Sequence, residues 1–332
     1  MQTKLGLVLS GGGAKGAYQA GILNYMAEIN MQPAMVSGTS IGALNASVVS
    51  AQGDIHAAAS AVNTIWEGLG NSTPLKLGSG AFITAASVFM SFSSLMKKNF
   101  LLKLVDKVLD SGNGALSDEP LHDVLTEYAG VGDLKSGLPL YVSLYPSDGT
   151  ADDIVKYLGQ VCLGTKGKDS VFKKVQSLKD SDIHNAILAS ASLPYLFKPR
   201  SVDGKMYRDG GMGGAFREQG NTPAQPLVEA GCTHLIVSLL GDGSFFDRHD
   251  PLYKDVEIIE VRPKDFISTS ATDMLAFTPD KIRHWMDQGY EDAKRCIGRP
   301  LEALSTVREH RQSQLKVQGL LHELDNDGFM IT

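Results

Sequence analysis

The sequence is poor in cysteine, and this excludes several classes of site. Its 332 residues include only Cys162, Cys232 and Cys296. The three lie far apart and form no Cys-x-x-Cys pair, so neither a disulfide framework nor a zinc site is predicted. This cysteine usage is typical of a protein in a reducing compartment, and we predict a cytoplasmic location. No metal and no cofactor are expected.

The chain also lacks a strong excess of charge of either sign. It has 31 lysine and arginine residues against 37 aspartate and glutamate residues, which gives a formal net charge of -6. This balance gives no electrostatic reason to expect that the surface as a whole binds nucleic acid or an anionic membrane. Local basic patches remain compatible with these numbers, but nucleic acid is not among the partners that we predict.

No stretch of the chain is long and apolar enough to predict a membrane-spanning helix. The apolar run at residues 5–9 is too short for a signal peptide and is better explained as a buried strand. Residues 77–96 carry no charge, but eight of them are glycine, serine or threonine. A spanning helix needs about 20 predominantly apolar residues. Two interpretations stay open, a core-facing helix and a mobile lid or shallow membrane-docking element at residues 81–96.

The first fifty residues alternate between strand and helix patterns. We predict strands at 4–10 and 35–37 and helices at 18–29 and 41–51, with the second helix ending at Gly53. Strands joined by helices indicate a parallel sheet in an α/β fold.

The rest of the chain continues this pattern without an internal repeat. Further strands are predicted at 140–144, 234–240 and 256–261. Two later helices are predicted, one capped by Asp182 and ending before Pro194, the other starting at Thr278-Pro279 and ending at Gly298. We predict one domain over 1–264, in which 66–135 form a helical lid or insertion, with a C-terminal helical addition at 265–332.

A five-residue pattern after the second strand is typical of a catalytic serine. Ser40 lies between Gly38 and Gly42 in a Gly-x-Ser-x-Gly sequence. Such a sequence forms a sharp turn from strand to helix that exposes the serine hydroxyl. The helix start behind it directs backbone N–H groups toward a developing oxyanion. Short patterns of this kind also arise by chance, so Ser40 needs support from elsewhere in the chain.

A glycine-rich loop after the first strand gives that support. It runs Gly11-Gly12-Gly13-Ala14-Lys15-Gly16. Consecutive glycines between a strand and a helix expose N–H groups that can bind a negative oxygen. A dinucleotide site would need an acidic residue about 20 positions further on, at the end of the second strand, but Gly38-Thr39-Ser40 occupies that place. A Walker loop would need Gly-Lys-Ser/Thr, which is absent, and a plain tight turn remains an alternative.

A third motif completes the pattern. Asp209-Gly210-Gly211 follows a predicted short strand at 205–207 and by itself would be explained as a turn. Together with the glycine loop and the Ser40 motif, and in the same order along the chain, it resembles the three motifs of patatin-like phospholipases. Weaker similarity is carried by the segments Ala191-Ser192-Leu193-Pro194 and Asn221-Thr222-Pro223. The resemblance covers about residues 4–240.

This resemblance implies a three-layer α/β sandwich and a Ser–Asp dyad that hydrolyses acyl esters. Ser40 would be the nucleophile and Asp209 its base, with Gly11, Gly12 and Gly13 forming the oxyanion hole. The implied activity is that of a phospholipase A or lysophospholipase. Its substrate would be a phospholipid membrane surface, which suggests peripheral attachment to the inner membrane face.

Other residues leave alternatives open. A conventional triad would need a histidine, and His234, His249 and His284 follow Ser40 in an order that permits one. Lys15 is interpreted as a partner of a carboxylate in a structural salt bridge or, less well supported, of a phosphate.

A different class of function is also open, a regulatory protein that binds a nucleotide phosphate in the glycine loop. Some bacterial relatives of the resembled family are silent phospholipases that cyclic nucleotides activate in antiviral defence. A cyclic-nucleotide activator is therefore a further hypothesis for this chain, although no residue demonstrates it. The sequence does not indicate an oligomeric state.

Overall fold

The computed structural model describes residues 3–71, 119–149, 152–153, 156, 167–194, 197–214, 219–241, 246–267, 273, 277–299 and 316. The predictions made for 77–96 lie outside the described residues, as does nearly all of 300–332. The proposed division into 1–264 and 265–332 stays a prediction.

One sheet of eight strands forms the centre of the described structure. The strands are β1 (Leu5–Leu9), β2 (Met35–Gly38), β3 (Leu140–Pro146), β4 (Val171–Lys174), β5 (Arg200–Val202), β6 (Lys205–Asp209), β7 (His234–Ser238) and β8 (Glu257–Val261). Their order is β5-β6-β3-β2-β1-β7-β8, and β4 also pairs with β3. The pairs among β3, β2, β1, β7 and β8 are parallel, whereas β4, β5 and β6 join in antiparallel fashion. The predicted mainly parallel sheet is confirmed.

Helices connect these strands. They are α1 (Ala17–Glu28), α2 (Ile41–Gln52), α3 (Ile55–Asn71), α4 (Glu119–Tyr128), α5 (Val131–Ser136), α6 (Asp180–Ser190), α7 (Gln225–Glu229) and α8 (Pro279–Ala293). Among the described residues, none of the helices combines the length and the apolar character needed to cross a membrane.

Side chains on the two faces of the sheet enter two separate cores, and this creates three layers. Leu7 and Leu9 of β1 join a core that also contains Trp66 of α3. Val8, which points to the opposite face of the same strand, joins a second core with Leu227 of α7. All five side chains are fully buried. The arrangement confirms the three-layer α/β sandwich.

Helix α8 packs very closely against α1. A methyl group placed on Gly21 would lie 1.9 Å from the carbonyl oxygen of Met286, and one placed on Gly289 would lie 1.9 Å from that of Tyr18. Two glycines therefore let the helix backbones touch. The predicted helix start at Pro279 is confirmed, and the helix continues into a π-helical turn at Lys294–Gly298.

The sequence predicted some elements well and others poorly. The predicted strands and helices in the first 53 residues agree with the structure to within about a residue at each end. Asp182 as a helix cap was wrong, because α6 begins at Asp180 and the Asp182 carboxylate accepts the Asp203 N–H instead. Strands β4 and β5 were missed, since they are three or four residues long and partly exposed, and so lack a clear alternating pattern.

Candidate active site

The register of the sheet brings Ser40 and Asp209 to the same level. Gly38 pairs with Val142 on β3, and Ser40 follows Gly38 by two residues. Asp209 pairs with Leu144, which follows Val142 by two residues. Since each residue advances a strand by about 3.3 Å, both side chains lie the same distance beyond the end of β2. Two motifs 169 positions apart in the chain therefore meet at the carboxyl edge of the parallel strands.

Ser40 occupies a sharp and strained turn between β2 and α2. Its φ of 54° and ψ of -126° are rare for a residue with a side chain. A methyl group on Gly38 would lie 2.3 Å from the Gly42 carbonyl oxygen, and one on Gly42 would lie 2.2 Å from that of Leu9. Only glycine fits at either position. The Gly-x-Ser-x-Gly segment has the nucleophile-elbow geometry that its sequence predicted.

The glycine loop packs directly against Ser40. A methyl group on Gly11 would lie 3.0 Å from the Ser40 Cβ and 2.7 Å from Asn221 Oδ1. The Gly11 N–H donates to the Asn221 carbonyl at 3.4 Å. Among the described residues, the N–H groups of Gly12 and Gly13 donate to no acceptor. They lie at the start of the 3₁₀ turn Gly13–Gly16 that leads into α1, where N–H groups have no helical partner.

Lys15 and Gly16 anchor this loop to the rest of the fold. Lys15 Nζ donates to the carbonyl of Leu240, just beyond β7, at 2.7 Å. The Gly16 carbonyl accepts from Asn45 Nδ2 at 3.1 Å. The hydrogen bond of Lys15 to a backbone carbonyl holds the loop against the neighbouring strand.

A buried polar network extends from the loop into the helices. Gln19 Nε2 donates to the Ser10 carbonyl at 2.8 Å, and Asn45 Nδ2 donates to Gln19 Oε1 at 2.8 Å. Trp66 Nε1 donates to Asn45 Oδ1 at 3.1 Å. Gln19, Asn45 and Trp66 are each at most 1% exposed. No local sequence pattern predicts this network, because the three residues lie on three different helices.

Asp209 is the last residue of β6, so the predicted strand at 205–207 was two residues too short. The side chain is buried, and Oδ1 accepts the Gly211 N–H at 2.8 Å. Oδ2 is also buried and has no partner of normal hydrogen-bond geometry among the described residues. Burial raises the pKa of Asp209 to about 7, although the Gly211 N–H and the Ser40 hydroxyl oppose this by favouring the carboxylate.

The turn after Asp209 is close-packed. A methyl group on Gly210 would lie 2.3 Å from the Ser143 carbonyl oxygen. One on Gly211 would lie 3.1 Å from both Asp209 Oδ1 and Asn221 Oδ1. Asn221 Oδ1 therefore lies no more than about 6 Å from Asp209 Oδ1, and it also lies next to the glycine loop at Gly11.

Residues 220–223 tie the ends of β1 and β2 together. The Thr39 hydroxyl donates to the Gly220 carbonyl at 2.8 Å, and the Ser37 hydroxyl donates to the Pro223 carbonyl at 2.6 Å. The Thr222 hydroxyl lies 3.1 Å from that of Ser10. In the sequence, Asn221-Thr222-Pro223 carries only a weak family resemblance, and its hydrogen bonds to Gly11, Ser37 and Ser10 cannot be predicted from it.

Among the described residues, none of the three histidines considered for a triad forms a hydrogen bond with Ser40 or Asp209. His249 and His284 are exposed. His234 is the first residue of β7, four residues before the end of that strand, and its Nδ1 lies 2.9 Å from the Thr233 hydroxyl. Because Ser238 is at the level of Leu9 and Gly38, His234 is about 13 Å below the carboxyl edge. In the part of the chain that the structure describes, no cluster of metal-ligating side chains is found.

Three solved structures have limited similarity to the chain. VipD from Legionella pneumophila is 15% identical with a TM-score of 0.44, over 89% of this chain and 67% of VipD. The type III effector ExoU is 15% identical with a TM-score of 0.38, over 90% of this chain and 53% of ExoU. The structure of ExoU in complex with SpcU, from Pseudomonas aeruginosa, is 13% identical with a TM-score of 0.29, over 88% of this chain and 52% of the matched chain. The chain thus spans about two thirds of VipD and half of ExoU.

No curated protein sequence matches the chain. The family model of the patatin-like phospholipases matches residues 7–218. The matched range includes the glycine loop, the elbow at Ser40 and the Asp209 turn, and it covers well over half of the 332 residues. The chain belongs to the patatin-like phospholipase family.

Proposed function

We propose that the protein is a serine acyl hydrolase of the phospholipase A or lysophospholipase type, with Ser40 as nucleophile and Asp209 as base. Membership of the patatin-like phospholipase family supports a lipid acyl hydrolase in general. The observation that carries the finer proposal is the pairing of a strained elbow serine with a buried carboxyl group whose Oδ2 has no partner of normal hydrogen-bond geometry among the described residues.

The first chemical step is acyl transfer to Ser40. Asp209 in its carboxylate form accepts the hydroxyl proton while Ser40 Oγ attacks the carbonyl carbon of the fatty-acyl ester. The tetrahedral intermediate then collapses, its bond to the alcohol oxygen breaks, and Asp209 returns the proton to the leaving alcohol. The products are an acyl-serine and a lysophospholipid or glycerophosphodiester.

The oxyanion of this intermediate needs hydrogen-bond donors already in place. The N–H groups of Gly12 and Gly13 meet this need best, since the Gly11 N–H donates to the Asn221 carbonyl. Gly11 would contribute by letting the loop approach Ser40. Each donor of this kind is typically worth about 10²–10³ in rate.

Hydrolysis of the acyl-serine completes the cycle. Asp209 removes a proton from water, the hydroxide oxygen attacks the acyl carbon, and the Ser40 oxygen leaves and regains the proton. The fatty acid is released. An aspartate can serve both steps because burial raises its pKa toward neutral pH, which makes its carboxylate a stronger base than a solvated one.

The competing proposal, a glycine loop that binds a nucleotide phosphate, has less support. The ammonium group of Lys15 donates to the Leu240 carbonyl and so holds the loop against the fold. A phospholipid membrane surface remains the substrate that we propose, with attachment to the inner face of the membrane.

Fatty-acid release from mixed phospholipid vesicles tests the proposal. Wild type is compared with Ser40→Ala and Asp209→Asn, each of which should lower release by at least about 10³-fold. Ser47→Ala is the matched control, because Ser47 is a buried serine of α2 whose hydroxyl donates to the Leu44 carbonyl within its own helix. It should keep most of the wild-type rate.

The outcomes separate the alternatives. Loss in Ser40→Ala with activity retained in Asp209→Asn would assign the base to another residue, a histidine included. If wild type is inactive alone, the same assay with added cyclic dinucleotides tests the activator hypothesis. Inactivity under both conditions, with folded protein, would contradict the proposed hydrolase.

A further inference from the structure

The end of helix α6 contacts the backbone of both Ser40 and Asp209. The hydroxyl of Ser190, the last residue of α6, accepts the Ser40 N–H at 3.0 Å. Two residues later, the Ser192 carbonyl accepts the Asp209 N–H at 3.2 Å. One short segment thus accepts hydrogen bonds from the backbone of both residues of the proposed dyad.

The Ser190 hydroxyl also forms a second hydrogen bond. It donates to the Ser143 carbonyl at 2.7 Å. Because a hydroxyl has one proton and two lone pairs, it can donate to Ser143 and accept from Ser40 at the same time. Ser143 lies directly before Leu144, which pairs with Asp209, and its carbonyl is the atom that requires glycine at position 210. The hydroxyl therefore bridges the serine elbow and the strand that carries the aspartate.

The elbow needs such a partner. Ser40 lies at the start of α2, where a backbone N–H has no acceptor within the helix. Its φ of 54° is unfavourable for a residue with a side chain and persists only where surrounding contacts hold it. Ser190 is fully buried, so water has no ready access to replace its hydroxyl.

We propose that Ser190 is a positioning residue that sets the placement of Ser40 relative to Asp209. The inference rests on the proposed function, since it gives Ser190 a role only if these two residues form the dyad. Ser190 acts through the Ser40 backbone and takes no part in the bonds that form or break. Its loss should therefore slow the chemical step more than it weakens substrate binding.

The test compares Ser190→Ala with Ser50→Ala. Ser50 is an equally buried bridging serine, whose hydroxyl donates to the Leu138 carbonyl at 2.6 Å and accepts from Gln176 Nε2 at 3.4 Å. It lies ten residues from Ser40, at the far end of α2. The two variants remove the same atoms from similar surroundings, and only one of them removes a contact with the elbow.

Ser190→Ala should lower kcat about 10–100-fold with KM changed less than about threefold, since small misplacements of reacting groups have effects of this size. The rate of covalent labelling of Ser40 by a small fluorophosphonate should fall in parallel. Ser50→Ala should lower the thermal midpoint by a similar amount and keep both rates within about threefold of wild type. Equal kcat and labelling rates in the two variants would overturn the inference.

The result remains informative if Ser190→Ala does not fold. Ser190→Cys then replaces it, because a thiol fills the same place but is a weak hydrogen-bond partner. A wild-type kcat in Ser190→Cys would count against the inference, and a reduced kcat with unchanged KM would support it. Failure of the proposed function can be told apart from failure of this inference. If the proposed function is wrong, wild type itself neither releases fatty acid nor reacts with the fluorophosphonate at Ser40.

Discussion

The N–H of Gly211 donates to Oδ1 of Asp209 at 2.8 Å, and Oδ2 of the same carboxyl group is left buried without a partner of normal geometry among the described residues. One hydrogen bond does not compensate for the loss of water around a buried charge. The pKa of Asp209 is therefore raised to about 7, and burial is the main cause. An acid with this pKa changes charge near neutral pH, and this has consequences for both activity and stability.

The first prediction concerns the dependence of activity on pH. Only the carboxylate form of Asp209 can accept the Ser40 proton, so kcat/KM should rise tenfold per pH unit below about pH 7 and level off above it. The measurement is fatty-acid release from vesicles of neutral phospholipid between pH 5 and pH 9. If kcat/KM instead falls only around pH 4, which is near the pKa of a solvated aspartate, the raised pKa is contradicted.

The second prediction concerns stability. Between about pH 4 and pH 7 the folded protein holds a proton on Asp209 that the unfolded chain has lost, so stability from this group falls as pH rises through this range. Asp209→Asn removes this effect. The free energy of unfolding of Asp209→Asn minus that of wild type should therefore be about 4 kcal/mol larger at pH 8 than at pH 4. This figure corresponds to a shift of about three pKa units for the wild-type carboxyl group.

Urea unfolding of both proteins at pH 4 and pH 8 measures this difference. Ser40→Ala is the control, because it removes the Ser40 hydroxyl and keeps the titrating carboxyl group. Its stability should also fall with rising pH, over a range displaced to higher pH, because the Ser40 hydroxyl no longer favours the carboxylate. If Asp209→Asn shows the same pH dependence as wild type, the carboxyl group does not titrate in the folded protein near pH 7.

The motifs and the parallel sheet could be predicted because they are local patterns. The strand at Leu5–Leu9 is a continuous apolar run, and the elbow at Ser40 is written within five residues. The proximity of the Ser40 elbow and Asp209 could be expected only from the family resemblance. It depends on the pairing of Leu144 with Asp209, a register between distant segments that no local pattern specifies.

The supporting contacts were beyond sequence reasoning for a related reason. Ser190 and Asn45 are ordinary helix residues in the sequence, and their importance comes from partners 150 and 21 positions away. A serine in a helix usually bonds to its own turn or to water. Only the packed structure shows that the Ser190 hydroxyl instead accepts the N–H of Ser40.

The third prediction tests the buried network behind the glycine loop. Asn45→Ala removes the acceptor of Trp66 Nε1 and the donor to the Gly16 carbonyl, leaving buried polar groups without partners. We expect a loss of about 3 kcal/mol in the free energy of unfolding. Asn24→Ala is the control, since Asn24 exchanges two hydrogen bonds with Asn63 at a half-buried site. This variant should lose about 1 kcal/mol in the free energy of unfolding. Equal losses in urea unfolding would show that the network adds no special stability.

The fourth prediction adds a charge beside Asp209. Asn221 Oδ1 and Asp209 Oδ1 would both lie 3.1 Å from a methyl group on Gly211, so Asn221→Asp places a second carboxyl group within about 6 Å of the first. A nearby negative charge disfavours ionisation, and the pKa of Asp209 should rise further. The acid limb of kcat/KM should then move at least about one pH unit above that of wild type. Asn63→Asp, on helix α3, adds the same charge away from the glycine loop and should leave the limb in place. An unmoved limb in Asn221→Asp would mean that the group titrating near pH 7 is not Asp209.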